Sequence, residues 1–508
     1  VYNYNHYEHE IYDFFHIIIY DLKEDTMKVL ENLEPKKVFH YFEEICSIPH
    51  GSRNTKQISD YLVDFAKAHG LTYYQDELNN VIIIKEASKG YENAEPVIIQ
   101  GHMDMVCEKE KGCDINFEKE GLRLYVDGDF VKAKDTTLGG DDGIAVAYAL
   151  AILDSDELAH PRLEVVITVD EEIGMLGAID IDLSMLKGHT MLNLDSDEEG
   201  HFLTSCAGGM SMITELPVKR VSQSGLKMLL TVTGLEGGHS GSEIHKEHGN
   251  ANILMGRLLK QIMDITPFGI ISMDGGLKDN AIPRECNCEI LLPEESADAV
   301  MQVAETLDQA FKNEFCVSDA KVEVLCKKEE VCETKILDYT SVHKVIFYLR
   351  TVPNGVQHMS MMMPGLVETS LNLGILNLKD DMFETVTSVR SSVSTRKEDL
   401  KDQVTQLVEM LGGEVTIEGD YPAWEYQPNS KMRDTIAEIY RELFGKEAIF
   451  EAIHAGLECG LFSEKIPNLD CVSFGPMNYD IHTPKERLSI SSTERMWKLI
   501  VEYLKRAK

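Results

Sequence analysis

Short β-branched runs alternate with amphipathic stretches along most of this chain, and five segments end in residues that ligate metals or move protons. Val97, Ile98 and Ile99 predict a buried strand that ends at His102, with Asp104 two residues further on. Val165, Val166, Ile167 and Val169 predict a second strand, and Glu171 and Glu172 stand at its exit. An extended stretch over 131–137 leads into TLGGDDG, which carries Asp141 and Asp142, and an apolar helix is predicted over 144–153. MLNLDSDEEG brings Asp195, and VSFGPMNYDIHTP brings His482.

In an open α/β sheet, ligands collect in the crevice beyond the carboxyl ends of the strands. Two imidazoles and several carboxylates gathered there form the donor set of Zn²⁺ or a similar divalent ion. Each segment alone has a plainer reading. Glu171 and Glu172 alone read as a solvated loop pair, and the acidic run 195–199 as a charged turn. Asp141, Asp142 and Gly143 read as the cap of the helix that follows. Capping and ligation are compatible, because a carboxylate at a helix start also gains from the helix dipole.

The alternation of strand and helix signals from about Val38 to Ala207 predicts a doubly wound α/β unit. The pattern then changes to a strand over 226–233, a Gly-rich turn over 234–241, a helix over 250–265, a strand over 383–391, a helix over 397–411 and a strand over 414–418. The repeated strand–helix–strand look predicts two related halves in one inserted α+β domain. The α/β pattern resumes near Pro428 and supplies His482. The expected organisation is a catalytic domain in two parts, 27–207 and 422–508, interrupted by a lid over 208–421. A helical pattern of Val29, Leu30, Leu33, Val38 and Phe42 opens at Met27, which looks like a native start. Residues 1–26 are rich in Tyr, His and acid and lack the basic region of a signal peptide, so they are expected to be an upstream extension with no catalytic part.

Composition narrows the classes. With 508 residues, 43% of them hydrophobic, the chain is long enough for two or more domains with proper cores. A formal net charge of −37 disfavours nucleic acid or an anionic membrane as partner. The 11 cysteines are scattered without a C-x-x-C pair, which points to reduced thiols and a cytoplasmic setting. Cys286 and Cys288 would share one side of a strand and pack in a core. The methionines from Met359 to Met363 are expected to pack in a core or lid. No run approaches the roughly 20 apolar residues of a membrane span. No G-x-S-x-G appears, so a covalent mechanism has little support.

At this point the chain resembles the M20 metallopeptidases, and within them the aminoacyl-histidine dipeptidase branch that cleaves Xaa-His dipeptides such as carnosine. The resemblance runs from about Val38 to the C-terminus and rests on GHMDMV, TTLGGDDGIAVA, TVDEEIGMLGA, NLDSDEEG, GLEGGHSG, DNAIPRE, VRSS, IHAGLECGLF and SFGPMNYDIHTPKE, in family order. Gly140 departs from the Ala usual before the Asp pair, a small-for-small change. The resemblance implies a doubly wound zinc-peptidase domain with an inserted lid. It also implies two metal ions, most simply Zn²⁺ with Co²⁺ or Mn²⁺ as substitutes, bridged by Asp141. His102 and Asp195 would complete one coordination sphere, Glu172 and His482 the other. Glu171 would be the general base, Asp104 would accept the other ring N–H of His102, and a cis peptide would join Asp141 to Asp142.

In the lid, the resemblance makes His239 the donor to the tetrahedral oxyanion, Asn280 a partner of the peptide and Arg390 a partner of a C-terminal carboxylate. His454 and Glu458 would line the substrate side of the metal domain. The implied partner is a small peptide, with a homodimer left open and no nucleic acid or membrane. Two alternatives remain: an M20-type peptidase or N-acyl amino acid hydrolase of other specificity, or a catalytically silent metal-binding relative.

Overall fold

The computed structural model describes residues 28–508. The reading of residues 1–26 as an extension lies outside them. Among the described residues, twenty-one strands alternate with helices. The first eight are β1 Thr72–Gln75, β2 Val81–Lys85, β3 Val97–His102, β4 Leu124–Asp127, β5 Phe130–Ala133, β6 Leu163–Thr168, β7 Thr190–Asn193 and β8 His201–Cys206. Then come β9 Gly208–Pro217, β10 Arg220–Thr233, β11 Gly269–Gly275, β12 Cys286–Leu292, β13 Glu323–Leu337, β14 Gly355–Met359, β15 Val367–Leu378, β16 Met382–Ser391 and β17 Glu414–Tyr421. The last are β18 Ile449–Ile453, β19 Asp470–Ser473, β20 Asn478–Tyr479 and β21 Arg487–Ser489.

An eight-stranded sheet takes the order β1-β2-β6-β3-β7-β19-β8-β18. Its centre is parallel: β3 pairs with β6 and β7, and β7 with β19. A parallel sheet covered on both faces reads as continuous apolar sequence, which is why every residue of β3 and β6 is buried. The helix Gly140–Leu153 is apolar all round and packs against β3 and the helix Lys36–Cys46. Tyr148 of that helix stacks on Trp497 of the C-terminal helix Ile490–Arg506.

Two expected boundaries move. The pattern opening at Met27 does not become one helix: residues 28–35 are turns, and the helix is Lys36–Cys46. The residue before a proline is pushed out of the α region, so helix can begin only after Pro35. The extended stretch over 131–137 ends as a strand at Ala133, because Asp135 turns the chain with φ 61°.

A nine-stranded antiparallel sheet takes all its strands from β9 to β17, in the order β13-β10-β12-β11-β15-β16-β9-β17, with β14 beside β15. Its two ends repeat one topology. From β10 to β13 the chain runs strand–helix–strand–strand–helix–strand, with the fourth strand beside the first and the third between first and second. The sequence β9, β15, β16, β17, with the helices Tyr339–Thr351 and Ser394–Met410, gives the same order. One half is therefore nested in the other, spliced in after β9, and the two meet where β11 pairs with β15. Cys286 and Cys288 pack in the core of this unit. The methionines 359–363 do not. They sit at the turn between β14 and β15, where no layer covers them, and Met361 is 88% exposed.

Candidate metal centre

Three strand ends of the parallel centre, one helix start and one distant segment deliver one cluster of side chains. β3 ends in His102, β6 exits through Glu171 and Glu172, and β7 leads to Asp195. Asp141 and Asp142 begin the helix Gly140–Leu153 but hold non-helical dihedrals, and a cis peptide joins them. His482 arrives from the far end of the chain, three residues after β20.

The Nε2 of His102 lies 3.2 Å from Asp141 Oδ1 and 3.7 Å from Asp195 Oδ1. The Nε2 of His482 lies 3.1 Å from Asp141 Oδ2 and 3.0 Å from Glu172 Oε1. Asp141 thus offers one oxygen to each imidazole. The donor atoms of His102, Asp141 and Glu172 lie within 4.8 Å of one another, as do those of His102, Asp142 and Asp195. Asp141, Asp142, Glu171, Glu172, Asp195 and His482 line a cleft of about 280 Å³ that also exposes Leu203, Ile453 and Leu457, with His102 buried behind them.

Neighbouring groups set the orientation of these side chains. The Nδ1 of His102 faces the main-chain carbonyl of Asp104 at 3.0 Å, with the Asp104 carboxylate at 3.5 Å. That carboxylate accepts instead from Ser52 Oγ at 2.8 Å and from the Glu171 amide at 3.1 Å. Asp104 therefore ties the exits of β3 and β6 together, and its own main chain completes the bond expected of its side chain. Among the described residues Glu171 forms no hydrogen bond or ion pair with either imidazole. Burial pushes its carboxyl well above the ordinary range, and the charges of Asp195, Glu458 and Glu172 add to the effect.

The chain matches peptidase family M20/M25/M40 over residues 98–506. It belongs to that family. Cytosol non-specific dipeptidase of Escherichia coli (strain K12) is 37% identical over 482 residues, spanning 94% of this chain and 99% of the relative. The crystal structure of aminoacylhistidine dipeptidase from Vibrio alginolyticus matches with a TM-score of 0.90 at 34% identity, covering 95% of this chain and 99% of that one. Aminopeptidase PepT from Bacillus cereus shares the fold, with a TM-score of 0.54 at 13% identity over 94% of this chain and 99% of that one. Peptide-bond hydrolysis is the chemistry of this M20 peptidase.

The donor set suits divalent cations. Tetrahedral ligands about 2.0–2.2 Å from a Zn²⁺ ion lie roughly 3.3–3.6 Å from each other, close to the separations around Asp141. Electrostatics agree. Burial pushes Glu172 and Asp195 up, and the Asp141 charge adds to both. Burial also works against the Asp141 anion, but its bonds from His102 and His482 outweigh that and hold it below the usual carboxylate range. His482 is pushed up to about 10 by its bonds to Asp141 and Glu172. Positive charge among these carboxylates relieves their crowding, and bound cations would supply it in place of the imidazole protons.

The residues expected from the lid form a second polar cluster. Burial, with Arg390 beside it, lowers the His239 pKa, and its Nδ1 accepts from the amides of Gly241 and Ser242, both at 3.2 Å. The ring is therefore neutral, with its proton on Nε2. Arg390 donates from Nη1 to the Tyr421 hydroxyl at 3.1 Å, while its buried Nε has no partner among the described residues. His454 bonds through Nε2 to Ser370 Oγ of β15 at 2.8 Å, and burial with the nearby Arg390 charge holds its pKa down to about 3. Asn280 is exposed, and its main-chain oxygen accepts from Ser240.

Glu458 departs from expectation. Instead of lining the substrate side it is fully buried, accepting from Gln100 at 2.5 Å and Thr168 at 2.7 Å, both on the central strands. As the first residue of the helix Glu458–Lys465 it points beneath the sheet ends, and burial pushes it up to about 8. Ser52, Asn478 and Glu486 are site neighbours that the strand-end pattern did not mark, whereas it did bring Asp142 in beside Asp141.

Proposed function

We propose that this peptidase is a dinuclear metal-dependent dipeptidase, with Zn²⁺ as the simplest ion and Xaa-His dipeptides, carnosine-like ones included, among its substrates. The observation that supports it most is the placement of Asp141 between His102 and His482, with Glu171 beside them in the same cleft. His102, Asp141 and Asp195 would hold one ion, and His482, Asp141 and Glu172 the other. Such a pair polarises a scissile carbonyl and acidifies a water.

The chain's own residues supply the remainder. Glu171, fixed through its amide to Asp104, takes the proton of the attacking water and passes it to the leaving amine. Neutral His239 donates from Nε2 to the oxygen that becomes negative, and its two main-chain bonds keep that tautomer. Arg390 takes the C-terminal carboxylate of the substrate. Two of the relatives it matches differ in breadth, one named non-specific and one for aminoacyl-histidine, so histidine preference is the finer part of the proposal.

Two measurements test it. Dialysis against a chelator should remove activity, and Zn²⁺, Co²⁺ or Mn²⁺ should restore it; chelator-resistant hydrolysis by the pure protein overturns the reading. On a panel of Xaa-His, Xaa-Ala, β-alanyl-histidine, tripeptides and N-acetyl amino acids, dipeptides should be cleaved best. Preference for N-acetyl amino acids points to the other hydrolase reading.

Arg390→Gln should act on binding. A hydrogen bond to a charged group is worth about 1.5–3 kcal/mol, so KM for a free dipeptide should rise on the order of tenfold to a hundredfold. The same dipeptide with an amidated C-terminus should lose far less. Equal losses on both substrates would remove Arg390 from the carboxylate role.

A further inference from the structure

One buried carboxylate outside the ligand set ties three of the ligand loops together. Glu486 is only 3% exposed, yet it forms no ion pair with an arginine or lysine among the described residues. Its Oε2 accepts from the amides of Leu138 at 2.6 Å and Gly139 at 3.0 Å. Its Oε1 accepts from Gly140 at 2.8 Å, from Asp141 itself at 3.4 Å, and from the Asn478 side chain at 3.1 Å. Successive amides arranged around one anion form a concave nest. The turn that builds it depends on Gly139, which holds φ 67° and whose added Cβ would lie 2.9 Å from Met105 Sδ. Gly140 matters too, because a Cβ there would meet the Asn478 amide at 2.8 Å and Glu486 Oε1 at 3.1 Å.

The connections run to the proposed ligands. Glu486 lies four residues after His482, on the same short segment between β20 and β21. Asn478 donates from its main chain to the Asp197 carbonyl at 2.9 Å, two residues beyond Asp195. The Glu486–Asn478 pair therefore fixes the backbone of Asp141 relative to His482 and to the Asp195 turn, although 345 residues separate Asp141 from Glu486.

We infer that Glu486 is a positioning residue that presets the bridging carboxylate Asp141 between the two ion sites, and that its loss weakens metal binding and turnover without touching substrate. The inference rests on the two-ion reading above. Groups behind metal ligands typically affect affinity about tenfold to a hundredfold when changed. Glu486→Gln keeps the shape but turns an –NH₂ toward amides that need an acceptor.

The test compares wild type, Glu486→Gln and Asn478→Ala as full-length proteins. Metal content is read by elemental analysis after dialysis at graded free Zn²⁺, folding by circular dichroism with and without chelator, and kinetics on a dipeptide at saturating Zn²⁺. Glu486→Gln should bind its weaker ion about tenfold to a hundredfold less tightly, lose kcat by about tenfold or more and keep KM within about twofold, while its metal-free form melts near the wild-type temperature. Asn478→Ala, which removes one of the five bonds, should move the same quantities in the same direction by less. It decides the matter if Glu486→Gln does not fold. Two ions held with wild-type affinity and an unchanged kcat would overturn the role of Glu486 alone. A wild type that takes up no metal would overturn the two-ion reading, and the positioning role with it.

Discussion

Asp141→Ala is expected to lower bound metal from about two ions per chain to well below one and to abolish measurable turnover. The expectation follows from the two contacts of one side chain. Asp141 faces His102 with Oδ1 and His482 with Oδ2, so no other carboxylate of the cluster meets both imidazoles in this way among the described residues. Without it, His102 keeps Asp195 and His482 keeps Glu172, each a pair rather than a set of three. Two protein ligands are fewer than catalytic zinc sites use. Ser and Asn at the same position grade the effect: both keep a polar atom, but neither offers two anionic oxygens. Elemental analysis of dialysed protein, alongside a dipeptide assay, checks the result. An active Asp141→Ala protein with near-normal metal content would remove the shared-carboxylate arrangement altogether.

The strand ends were legible because their signal is local. Val97, Ile98 and Ile99, and Val165, Val166 and Ile167, are β-branched runs that only a doubly covered strand can bury, and the polar residue after each run must then emerge at the sheet edge. That rule places the segments carrying His102, Glu171, Glu172 and Asp195 at the sheet edge, while their separate roles came from the resemblance. His482 needed more, since β20 is two residues long and carries no run of its own. The nesting of one half of the nine-stranded unit inside the other was not legible. β9 is separated from its partner β16 by more than 160 residues, most of them in the other half, and periodicity carries no pairing information across such a distance.

Glu458 and Glu486 show the same limit at the site. Each is a lone acid with no strand-end run before it, and for an acid a solvated surface position is the ordinary reading. What distinguishes them is the set of donors that meets them: Gln100 and Thr168 for Glu458, the amides 138–141 for Glu486. Those donors come from strands and turns hundreds of residues earlier. The methionines 359–363 fail in the opposite sense, since apolar composition promised a core that a two-strand turn cannot provide.

The adjacent acids at the exit of β6 give the sharpest separation of roles. Glu172 turns toward the cluster and meets His482 at 3.0 Å, whereas Glu171 lines the cleft without bonding either imidazole, its amide held by Asp104. Glu171→Gln keeps shape and hydrogen-bonding capacity but cannot take a proton. It should hold close to two ions while kcat falls on the order of a hundredfold or more. Glu172→Gln replaces an anionic ligand by a neutral one, so it should weaken metal binding, and excess Zn²⁺ should restore part of its activity. Metal titration and kcat measured on both variants together distinguish a proton carrier from a ligand, because only the first leaves occupancy intact while chemistry stops. The reverse pattern, with Glu171→Gln losing metal and Glu172→Gln retaining it, would shift the assignment by one residue and require the opposite reading of which acid faces His482.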